Sequence, residues 1–168
     1  LTTGGTIEKT YDERDGSLEN YDSVLDQILR QLRLPDIRIR HVSVMNKDSR
    51  DMTDSDRDRI LAAAKGALNE SDGILVLHGT DTLESTGHRL SADLRSPGVP
   101  IVLTGAMRPY EFRDTDATQN VTEALLALRL LDPGVYVVMH NRVLGFPGVR
   151  KNRDTLHFER IEEGSSAD

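Results

Sequence analysis

Three short stretches constrain this chain more than anything else in it. Gly73 to His78 (GILVLH), Val99 to Thr104 (VPIVLT) and Val135 to Met139 (VYVVM) are nearly unbroken apolar runs with helix-length segments between them. Such a run suits a strand covered on both faces, which is how parallel strands are buried. The alternating IRIRHVSV of residues 37–44 predicts a further, more exposed strand. Leu1-Thr2-Thr3 reads as the end of another. It is shorter than the usual ~5–6 residues, so a few apolar residues are expected ahead of Leu1.

The intervening segments read as helices. Ser23 to Leu34 carries Val24, Leu25, Ile28, Leu29 and Leu32 at helical spacing, and Pro35 stops it. Thr53 to Asn69 opens with Thr53-x-x-Asp56, a capping-box pattern. Asp81 to Leu94 and Ala117 to Leu131 complete the set, the latter stopped by Pro133-Gly134. Strand–helix alternation in this order predicts an open, mostly parallel sheet with helices on both faces. Arg142 to Phe158 reads as a hairpin or irregular excursion, and Glu162 to Asp168 as a polar tail.

Bulk properties remove several functional classes. At 168 residues a single domain, residues 1–168, is expected. There is no cysteine, hence no disulfide, thiolate ligand or cysteine nucleophile. A net charge of −7 disfavours a phosphate backbone, so no nucleic-acid partner is expected. No run approaches the ~18 apolar residues of a membrane span. Neither G-x-x-x-x-G-K-[ST] nor G-x-G-x-x-G occurs, and no G-x-S-x-G elbow. The five histidines show no ligand spacing. No cofactor and no metal are expected.

Ligands of open α/β sheets bind beyond the carboxyl ends of the strands. The loops there are Gly4-Gly5-Thr6, Asn46 to Met52, Gly79 to Thr82 and Gly105 to Pro109. Thr6 reads as a turn residue or as a nucleophile, the glycines then allowing close approach to substrate. Thr80-Asp81 reads as a helix cap, with function adding a carboxylate beside a reacting group. Lys151 is one of only four lysines among 21 basic residues. A lysine can lose its proton where an arginine cannot, so it is a candidate base as well as an ordinary surface charge. Tyr11 reads equally as a loop residue packed on the sheet edge.

The motifs TGGTIE, DSRDMT, HGTDTLE, GAMRP and the lysine of GVRK, in that order from Thr3 to Lys151, resemble the bacterial-type L-asparaginases. The resemblance implies a flavodoxin-like, three-layer, doubly wound α/β fold and hydrolysis of L-asparagine to L-aspartate and ammonia by a threonine nucleophile. It assigns catalysis to Thr6, Tyr11, Thr80, Asp81 and Lys151, and substrate contacts to Gly5, Ser49, Gly79 and Ala106. Ser49 would hold the substrate α-carboxylate and Asp81 its ammonium. Which threonine attacks is left open. Typical members are about twice as long, with a second domain that lends residues to a neighbouring subunit. This chain resembles the amino-terminal domain alone, with no C-terminal domain, and a homo-oligomer is expected to complete the site. Arg50 stands where many members carry a small or amide residue. DSRDMT resembles the cytoplasmic branch. An amidotransferase component or an amino-acid sensor module are the alternatives.

Overall fold

The apolar runs become neighbouring strands. The structure is a computed structural model that describes residues 1–11, 18–20 and 24–161. Its central sheet runs β3 (Ile74–Leu77), β4 (Pro100–Thr104), β5 (Gly134–Met139) and β6 (Arg142–Gly145), after an antiparallel ribbon of β1 (Lys9–Tyr11) and β2 (Leu18–Asn20). β3, β4 and β5 are parallel, with Ile74 opposite Ile101 and Ile101 opposite Val135. β6 folds back antiparallel on β5, and β7 (Val149–Asn152) pairs with β8 (His157–Arg160) as a separate hairpin. The Arg142–Phe158 segment thus holds the expected hairpin, formed with β8, together with a strand that joins the central sheet.

Side chains alternate across the sheet, as a period of two requires. Ile74, Val76, Ile101, Leu103, Val135 and Val137 join Ile60, Leu61 and Ala64 of α2 (Asp54–Ala67) and Leu83 and Leu90 of α3 (Leu83–Asp93). On the other face Leu77 meets Ile28 of α1 (Leu25–Gln31) and Val121 and Leu125 of α4 (Ala117–Ala127). Val102 and Val138 meet Ala124 and Ala127. The result is the expected α/β architecture, three layers around a mixed, mostly parallel sheet. Burying each such Leu or Ile contributes roughly 1.5–3 kcal/mol, so two aliphatic layers suffice without many aromatics.

Two expected strands are reduced. In place of full strands, Leu1–Thr3 and the 37–44 segment carry isolated bridges, of Thr2 to Ser43 and of Thr2 to Leu77. Residues 37–44 therefore form no named strand. Leu1–Thr3 meets that segment at His41 to Val44, through Thr2, and Ile39 stays 43% exposed. A hollow of about 930 Å³ opens there, beside the amino ends of β3 and β4, among Leu1, Ile39, Leu75 and Leu128.

Helix limits moved inward. The predicted 23–34 helix is Leu25–Gln31, with Ser23 outside the described residues. The Thr53 capping box forms as read: Thr53 Oγ1 accepts from Asp56 N and Asp56 Oδ2 accepts from Thr53 N. α4 ends at Ala127, its predicted last turn becoming tighter bonds back to Leu126 and Ala127. The predicted tail 162–168 lies outside the described residues. α3 starts at Leu83 rather than Asp81, and the reason lies in the site.

Candidate active site

The Gly-Gly pair at the start of the chain is required by crowding. Gly4 and Gly5 both adopt positive φ, 93° and 91°. A Cβ on Gly4 would stand 2.4 Å from Lys47 N, and one on Gly5 would stand 2.5 Å from Gly79 Cα. Three strand-end loops therefore meet backbone to backbone. Gly5 caps a short 3-10 turn, Thr6–Glu8, and Thr6 is half-buried as its first residue. Thr6 follows Gly5 and Thr80 follows Gly79, so both threonines leave the same contact point.

Ser49 closes the third side. It is 2% exposed and starts the turn Ser49–Asp51. A Cβ on Gly79 would lie 2.6 Å from its Oγ. Thr82 Oγ1 donates to Ser49 O at 2.7 Å, tying this loop to the start of α3. The loop is also tied to α2, because Lys47 Nζ donates to Asp56 Oδ2 at 2.7 Å.

Lys151 is the centre of the polar contacts. Its Nζ donates to Thr80 Oγ1 at 2.9 Å and to Asp81 Oδ1 at 2.7 Å. The lysine side chain is 7% exposed and Thr80 is 4% exposed, whereas the Asp81 side chain is 35% exposed. Thr80 and Asp81 do not cap α3. Its N-cap is Thr82, whose hydroxyl goes to Ser49, so the two preceding residues are free to face Lys151. That is why the helix begins later than the sequence suggests.

Lys151 arrives on β7, which is docked to α3 by packing. Gly87 of α3 takes the ring of Phe146, and a Cβ there would lie 2.1 Å from Phe146 Cζ. His88 meets the same ring edge-on at 5.1 Å, and its Nε2 donates to Val149 O at 2.9 Å. Lys151 N donates to Glu84 Oε2. Val149 and Phe158 seal the hairpin into the core.

Ala106 is 1% exposed, on the loop after β4. A Cβ on Gly105 would press on His78 O at 2.2 Å and Thr80 Cγ2 at 3.2 Å, and Thr80 Oγ1 donates to Met107 Sδ at 3.5 Å. This loop is the fourth wall. Tyr11 stands apart from these contacts in its exposure. It ends β1 with 53% of its surface exposed, and its main-chain N donates to Glu111 Oε2 at 2.9 Å. Arg50 lies at the rim. Its Nε is 3.5 Å from Asp81 Oδ2, and its guanidinium and main-chain N also bond Asp48. Burial alone would raise the Asp48 carboxyl, but bonds from Arg50 and Lys9 outweigh it and hold it well below the usual carboxylate range.

Sequence reasoning passed over His78. It is fully buried, its Nδ1 is 2.8 Å from Gly79 O and its Nε2 is 2.8 Å from Thr86 Oγ1. A carbonyl only accepts, so Nδ1 carries the proton and Nε2 accepts from Thr86. Burial pushes His78 down to about 4, and the ring is neutral at pH 7. It fixes the Gly79–Thr80 peptide from beneath. Its place at the end of an apolar run, before Gly-Thr, was the available signal.

A family model described as "Asparaginase, N-terminal" matches residues 1–164, and the chain belongs to that family. An L-asparaginase of Thermococcus kodakarensis is 35% identical over 145 residues, covering 86% of this chain and 44% of the relative. A component of the glutamyl-tRNA(Gln) amidotransferase of Methanococcus vannielii is 34% identical over 145 residues, covering 85% and 34%. Among solved structures, the thermostable L-asparaginase of Thermococcus kodakarensis superposes with a TM-score of 0.76 at 32% identity, over 98% of this chain and 57% of that one. A probable cytoplasmic L-asparaginase of Campylobacter jejuni gives 0.79 at 29% identity, over 95% and 51%. The chain thus spans about half or less of the length of the curated relatives it matches.

Proposed function

We propose that this protein is an amidohydrolase that splits the side-chain amide of L-asparagine, giving L-aspartate and ammonia, with a threonine as nucleophile. The observation that carries the reading is the position of Lys151 Nζ, 2.9 Å from Thr80 Oγ1 and 2.7 Å from Asp81 Oδ1. A threonine hydroxyl is a weak nucleophile until a base takes its proton. Lys151 can do so once its own proton is lost, and Asp81 stabilises the ammonium that then forms. Thr6, entering across the Gly5–Gly79 contact, is the second candidate nucleophile. On this reading Tyr11 assists Thr6. An oxyanion developing on the amide needs donors that are already in place, each worth about 2.7–4 kcal/mol in comparable sites. The peptide fixed by His78 offers Thr80 N–H. On this reading Ser49 binds the substrate α-carboxylate and Asp81 its ammonium, in competition with Arg50, whose Nε is 3.5 Å from Asp81 Oδ2. Gly5, Gly79 and Ala106 supply backbone walls.

A second reading has a specific observation behind it: the resemblance to an amidotransferase component. On that reading the same amide chemistry delivers ammonia to a partner. Incubating the protein alone with L-asparagine and with L-glutamine, and measuring ammonia and the acid product, separates the two. Hydrolysis of asparagine by the free chain supports the first. Ammonia release that appears only with a tRNA-bound acceptor and a partner protein would replace it by the second.

A further inference from the structure

At the amino end of α4 a carboxylate leaves the helix's own N–H groups uncapped and binds the main chain of another loop. Asp116 holds the N-cap position, where a carboxylate ordinarily accepts from the first N–H groups, yet it makes no capping bond. Thr115 serves instead, its Oγ1 accepting from Ala117 N at 3.1 Å. The oxygens of Asp116 reach across to the fourth wall of the site. Met107 N donates to both, at 3.0 Å each, and Arg108 N donates to Oδ1 at 3.1 Å.

Asp116 is itself held. Asn120 Nδ2 donates to its Oδ2 at 2.8 Å and to Gly105 O at 2.9 Å. His140 Nε2 donates to Oδ2 at 2.7 Å, with both side chains at least four-fifths buried. His140 belongs to the β5–β6 turn, where it and Asn141 adopt φ of 53° and 59°. Its main-chain N donates to Asn120 Oδ1 at 3.1 Å, and its Nδ1 is 3.2 Å from His157 Nδ1 on β8. Burial alone would raise the Asp116 carboxyl. Bonds from Met107 N–H, His140 and Arg108 N–H outweigh it and hold the carboxyl below its ordinary range, so it remains a charged acceptor.

A peptide unit is one rigid plane whose N–H and C=O point in opposite directions. Gripping Met107 N–H therefore sets where the Ala106 carbonyl is aimed. It also sets Met107, whose Sδ meets Thr80 Oγ1 at 3.5 Å. We infer that Asp116 and His140 are positioning residues: they lock the Ala106–Met107 peptide in the orientation turnover needs. The inference rests on the amidohydrolase reading for the word turnover, but the lock can be measured without it.

The experiment compares the wild type with H140A, H140Q and V121A. Glutamine can keep a donor toward Asp116, alanine cannot. V121A deletes core volume from the same helix and leaves the lock intact, so it reports what mere destabilisation of α4 does. Hydrogen exchange is read at the Met107 and Arg108 amides, and kcat and KM for asparagine at a temperature where all four are folded. H140A is expected to lose protection at those two amides and about 100-fold in kcat, the cost of a misplacement near 1 Å, with KM changed far less. H140Q restores most of both. V121A lowers Tm with kcat kept. Unchanged protection in H140A overturns the inference, as does loosened protection with full kcat, or a kcat loss in V121A equal to that of H140A. If the wild type hydrolyses no amide, the functional reading fails instead. The lock is then decided by amide exchange and by calorimetric binding of L-aspartate, where unchanged values in H140A overturn it.

Discussion

Single side chains decide whether this site has chemistry. Lys151 donates to both Thr80 and Asp81 from a nearly buried position; in the proposed mechanism its replacement removes the proton carrier. Lys151→Met is expected to lower kcat about 10²–10⁴-fold, the range of positioned acid–base groups, while calorimetry still detects aspartate. Turnover equal to wild type would remove the lysine from the mechanism. His78 gives a pH prediction. Unfolded, it takes a proton below 6.5; folded, burial delays this to about 4. Between those values the unfolded chain binds more protons. The stability from neutral His78 is complete above pH 6.5 and is lost as pH falls toward 4, by about 3 kcal/mol in all. Urea unfolding across that window measures it, and a flat profile there would contradict a buried neutral ring. Legibility at this scale was uneven. Thr80 and Lys151 were readable as residue types with unusual chemistry. Asp116 and His78 were not, because their importance comes from which backbone groups they grip across 9 and 1 positions of chain.

At the scale of elements, the question is how β7 is carried to α3. The Phe146 ring on Gly87 does much of this, since three ring atoms occupy the space of a Cβ. Gly87→Ala adds about 0.5–1 kcal/mol of helix preference but forces overpacking worth about 1–3 kcal/mol. The net expectation is a lower Tm and reduced turnover, because Lys151 follows Phe146 by only a few residues. Adding Phe146→Ala should relieve the clash, giving a double variant less destabilised than the two singles summed. Strict additivity would mean that the ring and Gly87 do not compete for one space. The three buried strands were legible here, because a run such as Val135 to Met139 has few other ways to bury every residue. The strand read at residues 37–44 was not formed, since alternation supplies a face but not a neighbour. Hydrogen-bond partners for a strand come from elsewhere in the chain.

At the scale of the molecule, the site lies along the carboxyl edge of the sheet, on loops from four separate places. Relatives are longer than this chain, so what covers that edge is a proposal. We expect more than one chain in solution, with a neighbour shielding the site. Light scattering that shows only monomer, together with full activity, would sink that expectation.

The sequence by itself determined the layers and the candidate chemistry: apolar runs with helical spacing between them allow little but a covered parallel sheet, and Thr, Asp and Lys at strand ends carry their reactivity with them. Only the tertiary structure decided which of these groups meet. It put Lys151 against Thr80, pressed Gly5 on Gly79, and brought Asp116 onto the main chain of another loop. The physical reason is range: propensity and periodicity act over a few residues, whereas a hydrogen bond of 2.9 Å between positions 71 apart exists only after the core has packed.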